Sequence, residues 1–113
     1  MNQDKLVILW TTPNPDTSTL MVFQYAENAL LHGWWKDIQI VVWGASAKLV
    51  AENNYISKKL LQLRDAGVKI SCCIACAKKL GVDTKLKSLG FQVTLWGEPL
   101  SDLIKKDITV LSI

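Results

Sequence analysis

Short apolar runs alternate with longer amphipathic stretches along the chain. Five runs are apolar at nearly every position and rich in β-branched residues: KLVILW (5–10), IQIVVW (38–43), VKISCC (68–73), FQVTLW (91–96) and DITVLSI (107–113). Strands that are buried on both faces of a parallel sheet have this continuous apolar pattern. The sequence therefore predicts five parallel strands at 6–10, 38–43, 68–72, 91–95 and 108–112, each to within about two residues.

The stretches between these runs predict helices. Asp16 or Thr17 is expected to cap a first helix that Gly33 ends, with one apolar face formed by Val22, Phe23, Ala26, Ala29 and Leu30. Further helices are predicted at 46–66 with a break at Asn53-Asn54, between the cysteines and Gly81, and at 98–106 with Pro99 in the first turn. Strict β-α alternation implies right-handed crossovers and a three-layer α/β/α fold, with residues 1–113 forming a single domain.

Composition narrows the class of protein. Half of the 113 residues are hydrophobic, so the chain can bury a core, and the net charge of +3 is too small and too dispersed to favour direct nucleic-acid binding. No apolar stretch approaches the roughly 20 residues of a membrane span, so no membrane partner is expected. The N-terminal residues do not resemble a signal peptide, and the three cysteines are an odd number. These features predict a cytoplasmic protein with reduced thiols.

Tryptophan and cysteine mark the carboxyl ends of the predicted strands, where open parallel sheets bind their ligands. Three strands end in tryptophan, and the remaining interior strand ends in Cys72-Cys73. We predict a partly apolar ligand pocket at this edge, lined by Trp10, Thr11, Thr12, Trp43, Gly44 and Trp96. The alternative is that the tryptophans only cap the core of the sheet.

All three cysteines fall within five positions, at 72, 73 and 76. A structural zinc site needs four ligands, and the single histidine, His32, is distant in sequence, so no metal is expected. No cofactor is expected either, because the chain has no G-x-G-x-x-G or Walker pattern. Cys73 closes a strand and precedes a helix, whose backbone N–H groups and dipole would stabilise a thiolate. Cys76 lies one helical turn further on, and Cys72 should point to the opposite face of the sheet.

Two segments resemble a known family. CIACAKKLGV (73–82), with Cys73 eight positions before Gly81, and LLQLRDAGVKI (60–70) are similar to the corresponding segments of the DsrE-like family, which includes DsrE, DsrF, TusD and YchN proteins. The resemblance implies strand order 4-3-2-1-5 and assembly into homotrimers or hexamers. It also implies sulfur relay, with a persulfide on Cys73 and with sulfur-donor and sulfur-acceptor proteins as partners. Cys76 matches a second cysteine that only some relatives have.

Three functions remain open from the sequence. The first is a sulfurtransferase-type persulfide carrier that uses Cys73, with Cys76 resolving the persulfide or modulating the thiol. The second is a thiol–disulfide redox protein that uses Cys73 and Cys76. The third is a non-catalytic module that binds a small ligand at the tryptophan-lined edge. A persulfide adds about 32 Da to one cysteine, a disulfide removes two hydrogens, and a pure binding module shows neither change.

Overall fold

The structure is a computed structural model that describes residues 4–113. One parallel sheet contains β1 (Lys5–Trp10), β2 (Asp37–Val42), β3 (Lys69–Cys73), β4 (Gln92–Thr94) and β5 (Thr109–Ser112), in the order β4-β3-β2-β1-β5. The predicted parallel sheet and strand order are therefore confirmed, and every strand end lies within one residue of its predicted position. Residues 1–3, which the predicted domain of 1–113 includes, lie outside the described residues.

Helices connect all the strands. The first connection contains α1 (Pro15–Thr17), a π-helical segment (Ser18–Phe23) and α2 (Gln24–His32); the others contain α3 (Ala45–Glu52), α4 (Asn54–Ala66), α5 (Ile74–Lys79), α6 (Asp83–Ser88) and α7 (Gly97–Lys105). None of these described helices has the length and hydrophobicity that crossing a membrane requires.

The first helical region begins earlier than predicted. Its N-cap is Asn14, whose side-chain Oδ1 accepts a hydrogen bond from the Thr17 N–H at 2.9 Å, so the prediction of Asp16 or Thr17 was wrong. Pro15 explains the difference, because its fixed φ angle and missing N–H suit the first helical position. The predicted end at Gly33 is confirmed, and this glycine has a φ of 67°.

The second helical region breaks at Asn53, as predicted. Asn53 has extended backbone angles, and its side chain accepts a hydrogen bond from the Ile56 N–H at 3.1 Å, which caps α4. Helix α6 was not predicted. It has six residues, of which only Leu86 is buried, and so short an element carries no periodic apolar signal.

The helices cover the two faces of the sheet unequally. The first face packs against α2 to α6, and its core includes Ile8, Val42 and Cys72. The second face, with Val7, Val41 and Cys73, packs against Trp96 and the α7 residues Leu100 and Leu103. This layering follows from the strand order, because the chain steps across the sheet in one direction from β1 to β4 and returns to the other edge through α7.

Ser46 joins the carboxyl ends of two strands. Its side chain is fully buried, and its Oγ donates a hydrogen bond to the Trp10 carbonyl at 2.6 Å and accepts one from the Trp43 N–H at 3.2 Å. The hydroxyl therefore holds the ends of β1 and β2 together at the edge of the sheet where ligands are expected.

We expect Ser46→Ala to lower the free energy of unfolding by about 0.5–1.5 kcal/mol, because it removes the buried hydrogen bonds of the hydroxyl, while the Trp10 carbonyl and the Trp43 N–H still bond each other at 3.0 Å. Urea unfolding measures the change. Ser101→Ala is the matched control, since the exposed Ser101 hydroxyl bonds only to the Gly97 carbonyl within its own helix. Equal stability of Ser46→Ala and the wild type would contradict the prediction.

Candidate functional site

The last two residues of β3 point to opposite faces of the sheet. Cys72 is fully buried in the first-face core, and Cys73 belongs to the second-face core with 3 % of its surface exposed. The predicted separation of these neighbours is therefore confirmed, and it results from the alternation of side chains along a strand. All three cysteines are free thiols in the structure.

Cys73 and Cys76 lie together. Cys73 is the N-cap of α5, and Cys76 is the third residue of that helix. Side chains at these two positions are neighbours, as they are in a capping box. Cys76 packs half-buried against the second-face core that contains Cys73, so the two thiols are neighbours. The structure thus brings together the two cysteines that the sequence singled out.

Backbone N–H groups near the pair act on Cys76 rather than on Cys73. We expected the N–H groups of the following helix to stabilise Cys73, but its side chain makes no capping hydrogen bond with α5. Burial and the neighbouring Cys73 thiol raise the pKa of Cys76, and the backbone N–H groups of Gly44 and of Cys76 itself act in the opposite direction without reversing the rise.

A tryptophan and a serine lie beside Cys73 on the second face. Trp96 is buried, and its indole N–H donates a hydrogen bond to the buried Ser71 Oγ at 2.8 Å. Trp43 is half-buried against the same core. Sequence reasoning missed Ser71, although its position two residues before Cys73 places it on the same face of β3.

The predicted pocket lined by three indoles does not form, because Trp10 lies on the other face. Strand pairing puts Trp10 in one row with Val42, Cys72 and Val93, and this row belongs to the first face. Its indole is fully buried, donates to Ser18 Oγ at 3.0 Å and packs edge-on against Phe23. Trp10 pairs with Val42, and Trp43 is one position further along its own segment. Because successive side chains point to opposite faces, Trp43 faces away from Trp10.

The other residues that were predicted to line the pocket form hydrogen bonds with the backbone or a turn at this edge of the sheet. The N–H groups of Thr11 and Thr12 both donate to the Ile113 carbonyl, at 2.6 and 3.2 Å, and the Thr11 hydroxyl donates to the same oxygen at 3.0 Å. Gly44 is the N-cap of α3, with φ 70° and ψ −135°. Glycine adopts such angles without a Cβ penalty, and the resulting turn allows the Gly44 N–H to reach Cys76.

Two surface grooves lie away from the cysteines. One, of about 240 Å³, lies between the first helical region and α4, and the other, of about 270 Å³, lies beside Trp34. Residues 4–113 contain no cluster of three or more His, Cys, Asp or Glu side chains that could hold a metal ion. Two neighbouring thiols, Cys73 and Cys76, lie at the carboxyl edge of the sheet.

The fold and the site define a class of parallel α/β proteins with a thiol pair after the third strand. The chain belongs to the DsrE/DsrF-like family, whose model matches residues 4–112. No curated protein matches the chain.

Solved structures share this fold. A conserved protein of unknown function from Bacteroides thetaiotaomicron is 42% identical, with a TM-score of 0.93 over 97% of this chain and 95% of that one. The ychN protein of E. coli is 15% identical, with a TM-score of 0.71 over 98% and 99% of the two chains. A protein of unknown function from Methanobacterium thermoautotrophicum is 13% identical, with a TM-score of 0.77 over 96% and 98%. The last two similarities show the fold alone.

The buried Cys72 thiol should make the folded protein less stable at high pH. Burial, with a smaller contribution from Cys73, raises the pKa of the Cys72 thiol from 9.0 to about 12. Above about pH 9 the unfolded chain releases this proton while the folded chain keeps it, so the folded state loses stability as the pH rises. The loss approaches about 1.4 kcal/mol per pH unit and ends near the folded pKa.

Cys72→Ala should remove this contribution, so that the free energy of unfolding decreases less steeply as the pH rises. Urea unfolding between about pH 8 and pH 11 measures the slope. Val42→Ala is the control, because Val42 is fully buried and pairs with Cys72 in the sheet but does not titrate. Its slope should equal that of the wild type, and an unchanged slope in Cys72→Ala would refute the prediction.

Proposed function

We propose that this protein is a sulfane-sulfur carrier that holds a persulfide on Cys73. The observation that carries the proposal is the buried Cys73 thiol beside the half-buried Cys76 at the carboxyl edge of the sheet. Membership of the DsrE/DsrF-like family supports it, because Cys73 is the residue that matches the persulfide cysteine which the resemblance implies. Its partners would be a sulfur donor and a sulfur acceptor.

The proposed transfer is thiol chemistry and needs no cofactor. A thiolate of the pair attacks the outer sulfur of a donor persulfide, so that a new S–S bond forms as the donor's S–S bond breaks. The donor leaves as a thiolate, and no net oxidation occurs. Burial of Cys73 beside Trp96 would shield the persulfide from other thiols in solution. Three free cysteines fit a reducing compartment, so the proposal places the protein in the cytoplasm.

The second candidate function is thiol–disulfide exchange. The contact between Cys73 and Cys76 favours it, because the same two sulfurs could form an intramolecular disulfide. The two functions differ in electron count, since a disulfide requires the pair to lose two electrons and two protons, whereas persulfide transfer leaves the pair reduced. Intact mass after incubation with oxidised glutathione, followed by alkylation, distinguishes a loss of two hydrogens from a gain of sulfur.

After incubation with glutathione persulfide and a brief chase with free thiol, the wild type should retain about 32 Da of added mass, mapped to Cys73. Cys73→Ser should retain none after the chase, because any sulfur on Cys76 stays accessible to the thiol. Cys72→Ser is the matched control and should behave like the wild type, since Cys72 lies on the other face. Retention of sulfur by Cys73→Ser at the wild-type level would disprove the assignment of Cys73 as the carrier.

We also propose a homotrimer or homohexamer. Among the described residues, α7 is the main helix over the second face, where Leu9, Trp43 and Val110 remain only partly buried. At the carboxyl edge of the sheet, Leu95 follows β4 and is 72% exposed. Apolar area of this kind favours association of subunits.

Light scattering at micromolar concentration should give three or six times the chain mass of 12.6 kDa. Leu95→Asp should lower the measured mass by placing a charge in the apolar contact. Leu31→Asp is the control, because Leu31 is about equally exposed, at 75%, but lies in the last turn of α2, at the opposite edge of the sheet from Leu95. A wild-type mass near 12.6 kDa would contradict the proposed oligomer.

A further inference from the structure

The two thiols of the pair differ in their access to solvent. Cys73 has 3% of its surface exposed and belongs to the second-face core, whereas Cys76 is only half-buried. A donor persulfide that approaches from solution therefore meets the Cys76 sulfur before it meets Cys73. Attack on a disulfide-type sulfur requires the attacking thiolate to reach it in line with the bond that breaks, so this difference affects the rate of transfer.

The contact between the thiols provides a route inward from Cys76. Their positions as N-cap and third residue of α5 hold the two side chains against each other without any movement of the backbone. A sulfur atom bound to Cys76 would consequently lie next to the Cys73 sulfur.

The loop after β2 lies beside the outer thiol. The N–H of Gly44, the N-cap of α3, opposes the rise in the pKa of Cys76 that burial and Cys73 cause. The Cys73 side chain makes no capping hydrogen bond with the helix that follows it. The nearby backbone donor thus acts on the thiol that is more exposed.

We propose that Cys76 is the outer thiol that receives sulfur from the donor and passes it to Cys73, an inference that rests on the sulfane-sulfur function proposed above. In the first step the Cys76 thiolate attacks the outer sulfur of the donor persulfide, which leaves as a thiolate. In the second step the Cys73 thiolate attacks the outer sulfur of the Cys76 persulfide. A Cys73 persulfide forms and the Cys76 thiolate is released. The proton that Cys73 gave up to solvent before the attack is replaced by one that Cys76 takes up, so no oxidant or reductant is consumed.

Rapid-quench loading with glutathione persulfide tests the inference. The protein is alkylated at successive times, and peptide mass mapping locates the added sulfur. In the wild type, sulfur should occur first on Cys76 and later on Cys73. In Cys76→Ser the loading of Cys73 should slow by roughly tenfold or more, because the buried thiol must then be reached directly. In Cys73→Ser the sulfur should stay on Cys76, and Cys72→Ser should match the wild type throughout.

The outcomes separate this inference from the function on which it rests. If Cys76→Ser loads Cys73 at the wild-type rate, Cys73 receives sulfur directly, and the outer-thiol role is refuted while the carrier function stands. If the sulfur appears on Cys76 and never moves to Cys73, the second step and the carrier role of Cys73 are both refuted. If no variant and no wild-type cysteine gains sulfur, the sulfane-sulfur function fails and the inference fails with it.

Discussion

The alternation of side chains across an in-register parallel sheet is the constraint on which the rest of the structure depends. Trp10, Val42, Cys72 and Val93 form one row across four strands, and that row points into the first-face core. The next position along β3, Cys73, points to the second face. Two adjacent cysteines therefore have different surroundings, and Cys73 is the one that shares the second-face core with Cys76.

Two indole–hydroxyl pairs allow this edge of the sheet to be packed tightly on both faces. Trp10 donates to Ser18 on the first face, and Trp96 donates to Ser71 on the second. Burial of an indole N–H without a partner would be costly, and among the described residues no buried side-chain nitrogen or oxygen lacks a hydrogen bond. The packing that results shields Cys73 and leaves Cys76 as the more accessible thiol of the pair.

This unequal access is what connects the architecture with the proposed function. A carrier must accept sulfur from one partner and protect it until another partner takes it, and these two requirements favour different degrees of exposure. A contacting pair with one buried and one half-buried thiol meets both, provided that sulfur can move between the two. The same pair would also support disulfide exchange, so the number of electrons exchanged, rather than the geometry, distinguishes the two candidate functions.

The sequence by itself determined the parallel sheet, the strand positions and the separation of Cys72 from Cys73, because burial on both faces and period-two alternation are local patterns. It also placed Cys73 near Cys76 through helical spacing. Only the tertiary structure decided that Trp10 faces away from Trp43 and that Gly44 contacts Cys76. These features depend on which residues pair across strands and on how a distant loop meets α5, and local patterns along the chain do not encode such long-range register.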